Sequence, residues 1–341
     1  MFITGHTGFK GSWLCRILAN AGALVTGYAL PAPTEPSLFA LAGLSGRINS
    51  VTGDVRDRQE LERAFCQSSP EIVFHLAAQP IVRDSYKDPT GTYETNVMGT
   101  VNILECIRTL QVPVKSVVII TTDKVYENKG WSWGYRENDS LGGHDPYSNS
   151  KSCAELVTHG YVSSFFAQGP AVSTARAGNV IGGGDFANDR ILPDCVRAAQ
   201  AGRPVIVRNP YSVRPYQHVL EALFAYLMIA QRQYEDRSAA GWYNVGPEDQ
   251  DCVPTGRLVE LFCKAWGRGL TWENRTEPGA PHEDSFLKLD CSRVKAVFGW
   301  RPRWSVEKAV QQTAAWTECW LSGGDIAEEM DRQINDYWEG F

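Results

Sequence analysis

Short apolar runs recur through the first half of the chain, at 1–4, 23–29, 48–52, 72–76, 116–121 and 171–175. Their continuity fits strands covered on both faces, as in a parallel sheet, better than half-exposed strands with alternating polarity. Between them the spacing turns helical, at 11–21 and again at 95–110. In the second of these, Val97, Val101 and Leu104 with Ile103, Ile107 and Leu110 fill a broad inward face. Strand and helix alternate, which predicts an α/β fold built on a doubly wound parallel sheet.

After residue 176 the texture changes to segments rich in glycine, proline and arginine, RAGNVIGGGDFANDRILPD and VIVRNPYSVRPYQHVLE. These predict a smaller C-terminal lobe, 176–341, that closes over the carboxyl ends of the strands, where ligands of such sheets bind. The dinucleotide-binding domain is placed at 1–175, with segments about 213–245 and 284–300 returning to it. The proline-rich stretch 30–37, LPAPTEPS, reads as a surface loop.

Composition narrows the classes. The chain has 341 residues, 43% of them hydrophobic, room for about two domains of roughly 150 residues. Lys and Arg number 33 against 39 Asp and Glu, so no broad positive field draws nucleic acid or an anionic membrane. The longest apolar stretch, 222–230, is far short of the ~20 residues of a membrane-spanning helix. The first residues carry glycines and a lysine where a secretory leader would be apolar, so a cytoplasmic protein is expected. The start at Met1 leaves a first strand of about four residues. Nine cysteines without a Cys-x-x-Cys pair read as reduced, packed thiols, and no metal site is assigned.

The first strand runs into Thr4-Gly5-His6-Thr7-Gly8-Phe9-Lys10-Gly11, a G-x-x-G-x-x-G turn that opens a helix. Glycines there allow a tight turn and let a pyrophosphate approach the backbone at a helix N-terminus, whose free N–H groups and dipole favour anions. His6 and Lys10 add donors around the turn; Lys10 either meets a phosphate or is solvated. The second strand ends Gly27-Tyr28-Ala29-Leu30, without the acidic residue that grips the ribose diol of NAD, which leaves NAD against NADP open on this feature. Asp54, beside Val55 after the third strand, either sits at an adenine or caps a helix. Leu76, Ala77 and Ala78 are small enough to let a dinucleotide pass, and His75 before them reads as a packed core histidine.

Asp145-Pro146-Tyr147-Ser148-Asn149-Ser150-Lys151 begins a helix with Pro146 in its first turn, and four-residue spacing puts the Tyr147 phenol and the Lys151 ammonium on one face. A free tyrosine titrates near ~10, so neighbouring positive charge is needed to make it a base. The pair follows Thr121-Thr122-Asp123-Lys124 at the carboxyl end of the fifth strand, where a site belongs.

These motifs resemble the extended short-chain dehydrogenase/reductase superfamily, with its Rossmann-type sheet. TGHTGFKGSWL, TTDKVYEN, GYREND, DPYSNSK, ARAGNVIGGGDF and RPYQHVLE, with LKLDCSR and FGWRPRW further on, narrow the likeness to the CDP-glucose branch of the nucleotide-sugar 4,6-dehydratases over nearly the whole chain. Tyr216 stands where that branch more often carries Trp, which keeps an aromatic surface.

The resemblance implies tightly held NAD and CDP-glucose as substrate, in a redox-neutral dehydration with Thr122, Tyr147 and Lys151 acting at the C4 hydroxyl. It implies Asp123 as acid at C6 and Lys124 as base at C5, so Asp123 must be protonated and Lys124 neutral. Cofactor contacts fall to Gly5, His6, Gly8, Phe9, Lys10, Gly11, Asp54, Val55, Leu76, Ala77 and Ala78, with Tyr147 and Lys151. Of five arginine or asparagine candidates for the substrate diphosphate (Arg176, Asn179, Arg190, Arg208, Arg214), Asn179 and Arg214 come first, guanidinium being suited to bidentate phosphate binding. Leu192 is expected in the nucleobase pocket. A homodimer through 95–110 and 147–166 is also implied. An epimerase of the same superfamily needs Tyr147 and Lys151 but no acid at C6, so Asp123 argues for elimination. A non-catalytic dinucleotide-binding protein needs none of the four.

Overall fold

The computed structural model describes residues 1–275 and 286–339. Residues 284 and 285 of the expected returning segment, and 276–285 and 340–341 of the expected lobe, lie outside them. Among the described residues the largest sheet has seven strands, in spatial order Trp242–Val245, Ala171–Ala177, Ser116–Thr121, Ile72–His75, Phe2–Thr4, Thr26–Ala29 and Asn49–Thr52. Every neighbouring pair is parallel.

Burial on both faces explains the continuous apolar runs. Successive side chains of a strand point to opposite faces, and the two faces feed different cores. Ile3, Phe74, Val118 and Ile120 pack with Trp13 and Leu14 of the helix Phe9–Asn20 and with Leu220 and Leu223 of the helix Val219–Glu235. Their neighbours Phe2, Val73, Val117 and Ile119 pack with Leu61 and Phe65 of Arg58–Ser68 and with Ile103 and Ile107 of Gly99–Thr109. Each such side chain, fully buried, contributes roughly 1.5–3 kcal/mol, so the centre of the sheet is anchored from both sides although its first strand has only three residues.

Two elements differ from the sequence reading. The helix expected over 95–110 begins as regular α-helix only at Gly99, because Glu94–Met98 forms a wider helical turn. Its inward face is also more polar than expected: Asn96 is buried and donates to Gln79 O and Ser150 Oγ, and Asn102 is buried and donates to Val55 O. The seventh strand, Trp242–Val245, falls in no apolar run named above; three of its four residues, Trp242, Tyr243 and Asn244, are polar or amphipathic.

The C-terminal half builds a second core from Leu192 and Cys195, Val205 and Val207, Leu258 and Phe262, and Val306 and Val310. The helix Val219–Glu235 lies back on the sheet, where Gln233 donates to Ser116 Oγ and Val117 O. At its other end Glu221, wholly buried, accepts from the backbone N–H groups of Arg303 and Trp304 and from the Tyr337 hydroxyl. Burial pushes this carboxyl up to about 7, and the three donors tie the last helices to the sheet.

Phe2–Thr4 pairs with Thr26–Ala29 on one side and Ile72–His75 on the other. The chain order reverses between those neighbours, which opens a crevice at the carboxyl ends of the central strands. Among the described residues, no helix is long and apolar enough to cross a membrane.

Candidate active site

A cavity of about 1330 Å³ occupies that crevice and continues under the second core. Single small-molecule sites run to roughly 300–1,000 Å³, so the space suits two ligands, one against each half.

The glycine turn forms one end. Gly5 has φ +76°, a left-handed conformation suited to glycine, and a Cβ there would lie 2.7 Å from Ala77 N. A Cβ on Gly11 would lie 2.2 Å from Gly5 O, so the turn closes on itself with no room for side chains. Gly8 is the N-cap of Phe9–Asn20 and offers no side-chain cap, and the first turn carries no acidic residue. Uncapped N–H groups facing a cavity make an anion site, and the residues present therefore fit a dinucleotide pyrophosphate. Gly5, Gly8, Phe9, Lys10 and Gly11 line this end. Asp54, Val55, Leu76, Ala77 and Ala78 line the adjoining wall. Leu30, Pro31, Pro33 and Thr34 do so too, so the loop read as surface-facing forms part of the cavity rim.

His6 is corrected. It is fully buried beneath the turn and absent from the cavity wall; Nε2 pairs with Ser50 Oγ at 2.7 Å and the ring packs edge-on against Phe39. Burial pulls it down to about 4, so it brings neither a cation nor a donor to a cofactor. Its ring fills the space over Gly27. Lys10 does face the cavity, with Nζ 3.3 Å from the Tyr226 hydroxyl; burial, then Arg190 and Lys151, lowers it to about 7. Asp54 caps no helix: it pairs with Arg56 at 2.6 Å, and Asp57 is the N-cap instead. His75 is the core histidine expected, sharing a hydrogen bond of 2.8 Å with Thr4 Oγ1.

The middle of the cavity gathers Thr122, Asp123, Lys124, Tyr147 and Lys151. The fifth strand delivers the first three at its carboxyl end, and the helix Pro146–Phe165 delivers the other two, with Asp145 capping it through Ser148 N. The Thr122 hydroxyl donates to Asp123 Oδ1 at 2.9 Å, and Asn179 Nδ2 donates to Oδ2 at 3.0 Å. Asp123 is 1% exposed. Burial raises its carboxyl above the usual range, opposed by Lys124, by the Thr122 hydrogen bond and by Arg214 and Lys10, so burial favours the protonated state an acid needs. Burial likewise lifts Tyr147 to about 12, with a Thr122 hydrogen bond pulling the other way. Lys151, its Nζ on Ile120 O at 3.1 Å, is lowered by burial to about 8 against the pull of Glu155.

Close packing fixes the acid. A Cβ on Gly178 would lie 1.9 Å from Asp123 Oδ2. Gly178→Ala is therefore expected to push the carboxyl aside and lower kcat about 10²-fold, the scale of an ångström's misplacement, with the thermal midpoint as a check on folding; an unchanged kcat would show that the position of this carboxyl is immaterial.

The far end is lined by Asn179, Arg190, Leu192, Arg208 and Arg214. Asn179, in a left-handed conformation at φ +41°, gives one of its two amide hydrogens to Asp123. Arg190 pairs with Asp185 at 2.9 Å and Arg208 with Asp189 at 3.1 Å. Arg176 stands outside the wall, paired with Glu155 and Tyr126. Sequence reasoning missed Arg83, which lines the cavity and pairs with Asp189 at 3.7 Å. The signal was available: the segment after the fourth strand leaves its carboxyl end, where sites lie.

A doubly wound sheet with a dinucleotide cradle, a Thr-Tyr-Lys group and a buried acid beside a second ligand space defines a nucleotide-dependent enzyme acting on a hydroxyl-bearing substrate. The sequence profile described as GDP-mannose 4,6 dehydratase matches residues 2–313, and the chain belongs to that family. It is 48% identical over 345 aligned residues to the CDP-glucose 4,6-dehydratase of Salmonella typhimurium, covering 99% of this chain and 95% of that one. The UDP-glucose 4-epimerase of Thermus thermophilus, solved with NAD, superposes with a TM-score of 0.80 at 25% identity, covering 93% and 98% of the two chains. The UDP-glucose 4-epimerase of Stenotrophomonas maltophila, solved with NAD and a formylated UDP-arabinopyranose, superposes with a TM-score of 0.82 at 20% identity over 95% and 99%.

Proposed function

We propose that this chain is an NAD-dependent nucleotide-sugar 4,6-dehydratase that converts CDP-glucose to CDP-4-keto-6-deoxyglucose and water. The observation that carries the reading is the juxtaposition of buried Asp123 with Thr122, Tyr147 and Lys151 in one cavity. Three of these suffice for oxidation at C4, and the fourth supplies what elimination adds.

Tyr147, as phenolate, takes the proton of the C4 hydroxyl, while Thr122 hydrogen-bonds the same oxygen and the Lys151 ammonium favours the phenolate. NAD, held by the glycine turn and its adjoining wall, would supply positive charge that favours the phenolate and a reversible hydride acceptor through which the C4 hydrogen could pass to C6. The C4 ketone acidifies the hydrogen at C5, which Lys124 removes. Asp123 gives its proton to the departing C6 hydroxyl, so water leaves. Lys124 then returns its proton to C5, and the proton that Tyr147 took from the C4 hydroxyl passes to Asp123, which the Thr122 hydroxyl bridges to it, so that both groups end where they began.

The glycine turn with Asp54, Val55, Leu76, Ala77 and Ala78 holds the dinucleotide. Asn179, Arg190, Arg208 and Arg214 face the substrate diphosphate and Leu192 the base. In this reading 1–175 with the returning segments serves the cofactor and the remainder serves the substrate. The cytidine moiety is supported by the 48% identity to the Salmonella enzyme. Nine free thiols support a reducing, cytoplasmic setting. Met98, Leu156 and Phe165, exposed on or beside the two long helices, support a homodimer through them.

Purified protein with NAD and CDP-glucose, UDP-glucose or dTDP-glucose in parallel tests this by mass spectrometry. Loss of one water from CDP-glucose alone is expected. Loss from another sugar nucleotide in preference would overturn the cytidine assignment, and loss from none would overturn dehydration.

A further inference from the structure

Behind the catalytic wall lies a charged pair that touches no ligand space. Glu155 and Arg176 are 2% and 3% exposed, and neither lines the cavity. Glu155 sits one helical turn after Lys151. Its Oε1 accepts from the Thr121 hydroxyl, and its Oε2 accepts from Thr174 Oγ1 and from Arg176 Nη2, both at 2.8 Å. Arg176 in turn donates through Nη1 to the Tyr126 hydroxyl at 2.8 Å and to Glu137 O at 3.1 Å. One turn earlier Lys151 donates to Ile120 O. Lys151 and Glu155 thus grip consecutive residues, Ile120 and Thr121, at the strand end that delivers Thr122 and Asp123.

We propose that Glu155, anchored by Arg176, is a positioning residue for the reaction: it clamps the strand end that carries Thr122 and Asp123 and biases the shared proton of the Tyr147/Lys151 pair toward the ammonium–phenolate arrangement. The proposal rests on Tyr147 and Lys151 being the acting pair.

The electrostatics agree with the geometry. The titratable groups that act on Lys151 are Glu155 on its own helix, Lys10 from the first helix and His75 from the fourth strand, while Tyr147, one helical turn before it, lines the same cavity wall; the strand beneath offers backbone carbonyls. His75 is held neutral by burial, which lowers it to about 3. Lys10 opposes a charge on Lys151, and Glu155 is the carboxylate that favours it. A buried ion pair adds little net stability over an apolar replacement, so what the pair contributes here is placement and charge.

The test compares pH profiles of kcat/KM for CDP-glucose in the unaltered enzyme, Glu155→Gln, and Glu155→Gln with Arg176→Met. An amide at 155 still bonds the two threonine hydroxyls but carries no charge, and the double variant leaves no uncompensated guanidinium. Without the carboxylate the Lys151 ammonium gives up its proton at lower pH, and the remaining proton resides on Tyr147. Both variants are therefore expected to move the acid limb down by about one pH unit and to lower the plateau about tenfold. The double variant regains thermal stability that the single one loses. A merely structural pair predicts a lowered plateau with the limb in place and full recovery in the double variant. Limbs that superimpose on the unaltered enzyme's overturn this inference alone; an unaltered enzyme without turnover overturns the functional reading and this inference together.

Discussion

Asp123→Asn is expected to leave CDP-glucose oxidised at C4 with its C6 hydroxyl still in place, and to slow formation of the dehydrated product by about 10²–10⁴-fold, the usual range for loss of a general acid. The amide matches the carboxyl in shape and can still accept from the Thr122 hydroxyl, so the wall is expected to keep its form. What it lacks is a proton to give. The native carboxyl has one because burial raises its affinity for protons, even with Lys124, Arg214 and Lys10 nearby. Analysis of acid-quenched single turnovers measures both quantities: the ketone that retains oxygen at C6, and the product that has lost it. Undiminished product formation would remove Asp123 from the acid role and return the epimerase-like fold to an open choice of chemistry.

The same residues show why the sequence was legible where it was. Phe2/Ile3, Val73/Phe74 and Val117/Val118 had to be apolar without interruption because both faces of a central parallel strand are covered. Thr122 and the Tyr147/Lys151 spacing were readable because a strand end and a helix face are local geometry. Trp242–Val245 was not, since an edge strand flanked on one side only needs no long apolar run. His6 misled for a related reason: position in a glycine turn says where the backbone goes, while the direction of the ring depends on Gly27 and Ser50, contributed by other strands or their flanks. Arg176 and Asn179 lie three residues apart, yet one is locked behind the wall by Glu155 and the other reaches Asp123. Long-range partners made that distinction, and nothing in the local pattern encodes them.

Tyr147→Phe is expected to stop the reaction one step earlier, with neither ketone nor dehydrated product formed above about 10⁻²–10⁻⁴ of the native rate. The variant removes only an oxygen. The backbone N–H of residue 147 still donates to Ser85 Oγ, Asp145 still caps the helix, and Lys151 keeps its bond to Ile120 O. Most of the expected dinucleotide contacts come from the glycine turn and the wall of Asp54, Val55, Leu76, Ala77 and Ala78, which the substitution leaves intact, so dinucleotide affinity measured by calorimetry is expected to hold within a few-fold. Burial makes the native phenol a weak acid, near 12, so an intact chain without added positive charge beside Tyr147 has almost no phenolate at neutral pH. Turnover therefore depends on the neighbours that shift that balance. The two substitutions separate the chemistry in order: a ketone with Asp123→Asn and none with Tyr147→Phe places the phenol at C4 ahead of the carboxyl at C6. A ketone formed at the native rate by Tyr147→Phe would break that order, and the base would have to be sought among the other groups of the same wall.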